Sequence, residues 1–168
     1  TAGAGNDTVT AGAGNDTIDA GIGDDSITAG LGDDSVTGGA GIDLVRFDDA
    51  NDVDVSVSLL AGSASGLGAD TITGIENVIT GAGDDSIVGD GNANVLTAGA
   101  GNDTIYAGAG NDTIDAGAGD DSISGGIGND SGAGGIGTDI IRFDDAPATV
   151  NVAVSLLAGT ATGMGNDS

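Results

Sequence analysis

The sequence predicts an all-β fold, a parallel β-solenoid, and three observations predict it. A motif recurs every nine residues, each copy keeps one aliphatic residue at a fixed place, and each opens on a glycine-rich run ending in an acid. The chain has 168 residues, of which 35 are Gly and one is Pro, so turn formers are spread along its whole length. Self-similarity at a fixed short period marks stacked repeats rather than a single globular core.

The first unit is Ala2-Gly3-Ala4-Gly5-Asn6-Asp7-Thr8-Val9-Thr10, and nine residues on it returns as Ala11-Gly12-Ala13-Gly14-Asn15-Asp16-Thr17-Ile18-Asp19. Positions one to six predict a tight turn, because glycine reaches φ > 0 and Asn and Asp form side-chain turns. Positions seven to nine, Thr/Ser-Val/Ile-x, predict a three-residue strand with one side chain inward. The inward set is Val9, Ile18, Ile27, Val36, Val45, Ile87, Leu96, Ile105, Ile114, Ile123 and Ile141. Gly132 interrupts it, which predicts a weaker rung at residues 131–133. So short a strand cannot stand alone, and the units must stack at ~4.8 Å per rung.

The organisation follows from the period. Residues 1–46 form a first block, with Asp7, Asp16, Asp25, Asp34 and Asp43 at the sixth position. Residues 80–142 form a second, with Asp85, Asn94, Asp103, Asp112, Asp121, Asp130 and Asp139. Between them, residues 47–79 predict a β-rich insert that continues the solenoid. Residues 53–59 alternate, with Val53, Val55 and Val57 on one face, and predict a longer strand. Residues 65–73 are a nonapeptide again, and residues 74–79 lead back into the array.

The insert recurs: Arg46-Phe47-Asp48-Asp49-Ala50 returns as Arg142-Phe143-Asp144-Asp145-Ala146, 96 residues later. Ser58-Leu59-Leu60-Ala61-Gly62 returns as Ser155-Leu156-Leu157-Ala158-Gly159 after 97. Residues 143–168 are therefore expected to begin a second insert, and the superior repeat predicts a segment of a longer repetitive protein. Arg46, Phe47, Arg142 and Phe143 are expected at corners or plugs, and Tyr106, at a ninth position, is expected on the surface.

Charge sets the chemistry. Asp and Glu number 27 against two Arg, for a net charge of −25, and the chain has no His and no Cys. That removes zinc sites of the usual kind, thiol nucleophiles, disulfides and Ser-His-Asp catalysis. The absence of Lys removes the phosphate-loop lysine. The surface repels nucleic acid and anionic lipid, and no run approaches the ~18 apolar residues of a membrane span. Val, Ile, Leu and Phe make up only 37 of the 168 residues, close to the composition of disordered chains. Stacking would add repulsion, because it places the sixth-position carboxylates in columns. A cation between them reverses the sign. Asp carboxylates and glycine carbonyls are hard oxygen ligands, which favours Ca²⁺ over zinc, copper or magnesium.

The unit resembles the Gly-Gly-x-Gly-x-Asp-x-U-x nonapeptide of the RTX family, with U a large apolar residue. Twelve units, in phase within each of two blocks, cover 108 of the 168 residues. The resemblance implies a calcium-stabilised parallel β-roll of two nonapeptides per coil. It implies that sixth-position side chains 18 residues apart share an ion: Asp7 with Asp25, Asp16 with Asp34, Asp25 with Asp43, Asp85 with Asp103, Asp103 with Asp121, Asp112 with Asp130, and Asp121 with Asp139. Asn94 with Asp112 is an eighth, one-carboxylate candidate, for about seven or eight Ca²⁺ in all. Turn carbonyls of Gly12, Gly14, Gly21, Gly23, Gly99, Gly101, Gly108, Gly110, Gly117 and Gly119 would complete the ligand sets. Position one departs from the family pattern, being Ala more often than Gly and once Thr80, and residues 89–94 form the least regular turn.

The resemblance also implies type I secretion and an extracellular or bacterial cell-surface location. The expected function is a calcium-binding structural and interaction segment of a large secreted surface protein, of adhesin or surface-layer type, that folds on Ca²⁺ after export. The alternative is the carrier module of a type I-secreted enzyme or toxin. Carboxylate pairs abound but none is marked as special and no aromatic platform accompanies one, so no enzyme activity is expected. Expected partners are calcium ions, a second copy of the chain or a cell-surface or matrix ligand, with neither nucleic acid nor membrane insertion.

Overall fold

A computed structural model describes residues 1–48, 52–142 and the backbone of residues 153–154. The second insert, including Phe143, otherwise lies outside the described residues. Among the described residues there is no helix. The first block gives β1 (Gly3–Ala4), β2 (Thr8–Ala13), β3 (Thr17–Ile22), β4 (Ser26–Leu31), β5 (Ser35–Ala40) and β6 (Leu44–Arg46). The insert gives β7 (Ser56–Ser58), β8 (Ser63–Ser65), β9 (Ala69–Thr73) and β10 (Asn77–Ile79). The second block gives β11 (Ser86–Val88), β12 (Val95–Ala100), β13 (Thr104–Tyr106), β14 (Thr113–Ala118), β15 (Ser122–Ser124), β16 (Ser131–Ile136) and β17 (Ile140–Arg142), with β18 (Ala153–Val154) beyond.

The chain winds between two sheets. One runs β1-β3-β5-β9-β8-β7-β11-β13-β15-β17 and the other β2-β4-β6-β10-β12-β14-β16-β18. Within the blocks every pairing is parallel and joins residues 18 apart, as in Ile18↔Val36 and Leu96↔Ile114. Two nonapeptides therefore make one coil. The predicted inward residues fill the space between the sheets: Ile27, Val45, Ile87 and Leu96 are fully buried, and Val9 and Ile141 pack against the cluster. Position-one Ala20, Ala29, Ala98, Ala107 and Ala116 are fully buried as well, so the β-carbon that departs from the family pattern adds to the core. At Gly132 a Cβ would meet nothing within 4 Å, so the apolar column has a gap there although β16 still pairs with β14.

Two elements differ from expectation. Most block strands reach six residues rather than three, because the backbone at positions two and three also pairs with the next coil (Gly21↔Gly39, Gly99↔Gly117). The long strand expected over residues 53–59 shortens to β7, although Val55 and Val57 do point inward. Residues 53–55 are instead drawn into a turn, where Val55 takes the place that Asp85 fills one coil on.

The insert changes the winding. From β6 the chain crosses to β7, returns antiparallel through β8, and reaches β9 beside β5. In the facing sheet, β6 pairs directly with β10. Phe47 is fully buried, joined by Val55, Val57, Ile72, Ile75 and Val78. Arg46 bonds Asp48 through two guanidinium nitrogens. Tyr106 is 44% exposed, on the outer face of β13.

Candidate metal centre

Stacking at 18 residues brings each expected pair together, and a backbone hydrogen bond fixes the contact. The N–H of Asp7 donates to Oδ1 of Asp25 at 2.7 Å, and that of Asp16 to Asp34 and of Asp25 to Asp43 at 2.8 Å. In the second block Asp85, Asn94 and Asp103 donate to Asp103, Asp112 and Asp121 at 2.8 Å. Asp112 donates to Asp130 at 3.0 Å and Asp121 to Asp139 at 3.2 Å. Each sixth-position carboxylate thus reaches back to the coil before it.

The second oxygen of each carboxylate is the informative one. Among the described residues, Oδ2 of Asp7, Asp25, Asp34, Asp43, Asp70, Asp85, Asp103, Asp112, Asp121 and Asp130 is sealed from water without a hydrogen-bond donor. An ionised oxygen in that state is strongly unfavourable unless a proton or a cation reaches it. The donor set is oxygen only, which suits a hard divalent ion. Among the described residues no three acidic side chains converge. Two carboxylates per turn pair therefore need backbone oxygens to complete a calcium shell of 6–8 ligands.

The turns offer those oxygens. The expected glycine carbonyls all face the following coil, so closely that a Cβ on its turn glycine would overlap them, as Gly117 would overlap Gly99. Gly117 also sits at φ 104°, a region other residues avoid, so two constraints fix glycine there. The expected carbonyls divide into two kinds. That of Gly108 accepts a hydrogen bond from Ile127, as position-two carbonyls do along the ladder. Those of Gly14, Gly23, Gly101, Gly110 and Gly119, at position four, accept none among the described residues and are the freer ligands.

Burial raises the carboxyl pKa of Asp43, Asp70, Asp85, Asp112 and Asp121, and pushes that of Asp103 up to about 6. Desolvation is the main cause, the backbone hydrogen bond opposes it, and neighbouring carboxylates add to it. A raised acid pKa favours the fold below the unfolded value of 3.8 and loses that contribution as pH rises through the folded one. At neutral pH the metal-free ladder therefore works against folding.

Sequence reasoning passed over three features. Position five builds a second, outer ladder that reaches forward: Asn6 accepts from Asp24 at 3.0 Å, Asp84 from Asn102 at 2.7 Å, and Asp120 from Thr138 at 2.8 Å. Its signal was the Asn or Asp that recurs at position five, read only as a turn former. Asp70 and Glu76 of the insert complete the inner ladder, accepting from Asp34 at 2.9 Å and from Asp43 at 2.8 Å. Both were legible: Asp70 is the sixth residue of the nonapeptide at 65–73, and Glu76 stands nine residues before Asp85, in phase with the second block. Asn94 departs from its column: its Oδ1 accepts from Asp90 within its own turn, and its Nδ2 donates to the carbonyl of Glu76 at 2.8 Å.

Stacked turns that seal unpaired carboxylate oxygens define a cation-binding parallel β-solenoid. The profile of the RTX calcium-binding nonapeptide repeat matches residues 1–27, 14–45, 70–105, 79–114 and 106–141. The chain belongs to this family, and it is a calcium-binding RTX β-roll segment. No curated protein matches it.

Proposed function

We propose that this chain is a non-enzymatic structural and interaction segment of a large secreted bacterial surface protein, of adhesin or surface-layer type, ordered by calcium after type I export. The observation that carries the switch is the set of sealed, unpaired Oδ2 atoms along both turn columns. The seven Asp pairs set out above would hold the ions through their carboxylates and the position-four carbonyls. Calcium when bound supplies the positive charge that the columns lack. In the low calcium of a bacterial cytoplasm the columns repel and the chain stays exportable; outside the cell, seven divalent ions would bring the net charge from −25 to −11. The 96-residue recurrence of the Arg-Phe-Asp-Asp-Ala motif supports a long repetitive rod rather than an accessory to a catalytic domain.

Circular dichroism during a calcium titration tests the switch. The chain should be largely unordered in chelator and gain its β signal as calcium rises. A chain already β-rich in chelator, and unchanged by calcium, would sink the reading.

A further inference from the structure

We infer that the turn at residues 89–94 is a metal-independent clasp, in which the amide nitrogen of Asn94 takes the place of an ion and keeps the second block joined to the insert when calcium is withdrawn. This rests on the calcium reading of the neighbouring coils. In the column that runs through Asp7, Asp25, Asp43, Asp112 and Asp130, each of these acids keeps a sealed Oδ2 with no donor. Asn94 stands in the same column and is only 2% exposed, yet both of its polar atoms are satisfied. Its Oδ1 accepts the N–H of Asp90 at 3.0 Å. Its Nδ2 donates to the carbonyl of Glu76, one coil back, at 2.8 Å, and to Oδ1 of Asp90 at 3.3 Å. A donor on one side and two acceptors on the other fix which amide atom is the nitrogen. That nitrogen gathers a backbone carbonyl from one coil and a carboxylate oxygen from the next, the oxygen types that hold a hard cation. The rung is reversed as well: Asp25 and Asp112 accept from the coil before them, whereas Asn94 donates to it.

Asp90 supplies the negative charge of the clasp. Among the twelve units it is the one position-two residue that is not Gly. Its carboxylate receives three N–H groups: the Asn92 backbone on Oδ1 and the Asn92 side chain on Oδ2, each at 2.8 Å, and Asn94 on Oδ1. A carboxylate so supplied with donors needs no cation, unlike the sealed oxygens of the block turns. The backbone ladder runs on through the turn. The N–H of Ala109 donates to the Asp90 carbonyl at 3.0 Å, and that of Asn94 to Oδ1 of Asp112 at 2.8 Å.

In the facing column the same border is made by Val55, whose N–H donates to Asp85 at 2.8 Å and whose side chain lies in the core. Neither column needs a shared ion to cross from the insert to the second block. The coil at residues 76–97 is then the last to loosen as calcium falls, and stacking can resume from it.

Hydrogen exchange on the whole chain, in saturating calcium and in chelator, tests this. Between the two conditions the amides of residues 89–97 should accelerate roughly tenfold less than their counterparts one coil on, residues 107–115. Asn94→Asp restores the residue of the other block turns. It should abolish that difference and keep parental protection in saturating calcium. Asp90→Ala strands the donors of Asn92 and Asn94, and should weaken protection of the turn in both conditions alike. Equal acceleration of the two coils in the parent would overturn the inference, and so would a difference that survives Asn94→Asp. An Asn94→Asp chain that fails to fold in saturating calcium, or an Asp90→Ala chain that calcium fully rescues, would also overturn it. Exchange over residues 99–142 that is the same with and without calcium would instead overturn the calcium reading beneath it.

Discussion

The blocks and the insert solve the same stacking problem with different materials. A block coil buries two aliphatic side chains and, where position one is Ala, methyl groups, against turns that seal ionised oxygens. The insert buries Phe47, Val55, Val57, Ala64, Ile72, Ile75 and Val78 within 32 residues of chain, and it turns one strand antiparallel to do so. Apolar burial of this kind contributes roughly 25 cal/mol per Å² without any ion. On the proposed reading, the periodic regions depend on calcium for net stability and the aperiodic one leans chiefly on packing.

Removal of calcium should separate the two regions most widely. In chelator, amide exchange in residues 1–46 and 80–142 should accelerate by roughly a thousandfold or more, with a smaller change around Phe47 and Val78. Uniform acceleration along the chain would erase the distinction. Phe47→Ala should be the next largest effect, lowering stability by about 3–5 kcal/mol at saturating calcium in denaturant unfolding. Calcium should not restore that loss, because a cavity rather than a charge causes it.

Asp103 belongs to two pairs, with Asp85 and with Asp121. Asp103→Ala should therefore weaken more than one site, and unchanged stoichiometry in equilibrium dialysis would contradict shared ligation. Acid should partly stand in for the ion. In chelator, lowering the pH from 7 toward 5 should raise block stability, since burial has pushed the Asp103 carboxyl to about 6. A β signal by circular dichroism that fails to rise over that range would show that desolvation does not govern the ladder. The smallest effect is a gain. Gly132→Val should fill the gap in the aliphatic column and add about 1 kcal/mol, measured by thermal unfolding with calcium present.

What the sequence made legible follows the same division. In the blocks, period alone placed the eighth-position aliphatic residues and the sixth-position Asp pairs, because one hydrogen-bond register recurs from coil to coil. The insert resisted, because alternation at residues 53–59 marks a buried face but not the direction of the strand beside it. Glu76 stands in phase with the second block, nine residues before Asp85, yet its partner Asp43 lies 33 residues away, off the coil repeat, because the turn at 74–76 is three residues short. The outer ladder of Asn6, Asp84 and Asp120 was present in most units, yet a residue type that forms turns anywhere gives no sign that it also joins coils.

Among the described residues the two sheets differ in length, ten strands against eight, and the whole difference falls at the insert. At roughly 4.8 Å per strand, one face of the stack is about 10 Å longer there. The additional strands fall where Phe47 and Ile75 are buried, and a cleft of about 190 Å³ lined by Leu59, Ile72, Ile75 and Glu76 opens there. The start of the insert motif lies in the shorter sheet at β6, whereas its copy begins in the longer sheet at β17. The two arginines of the recurring motif, Arg46 and Arg142, therefore stand on opposite sheets of the stack.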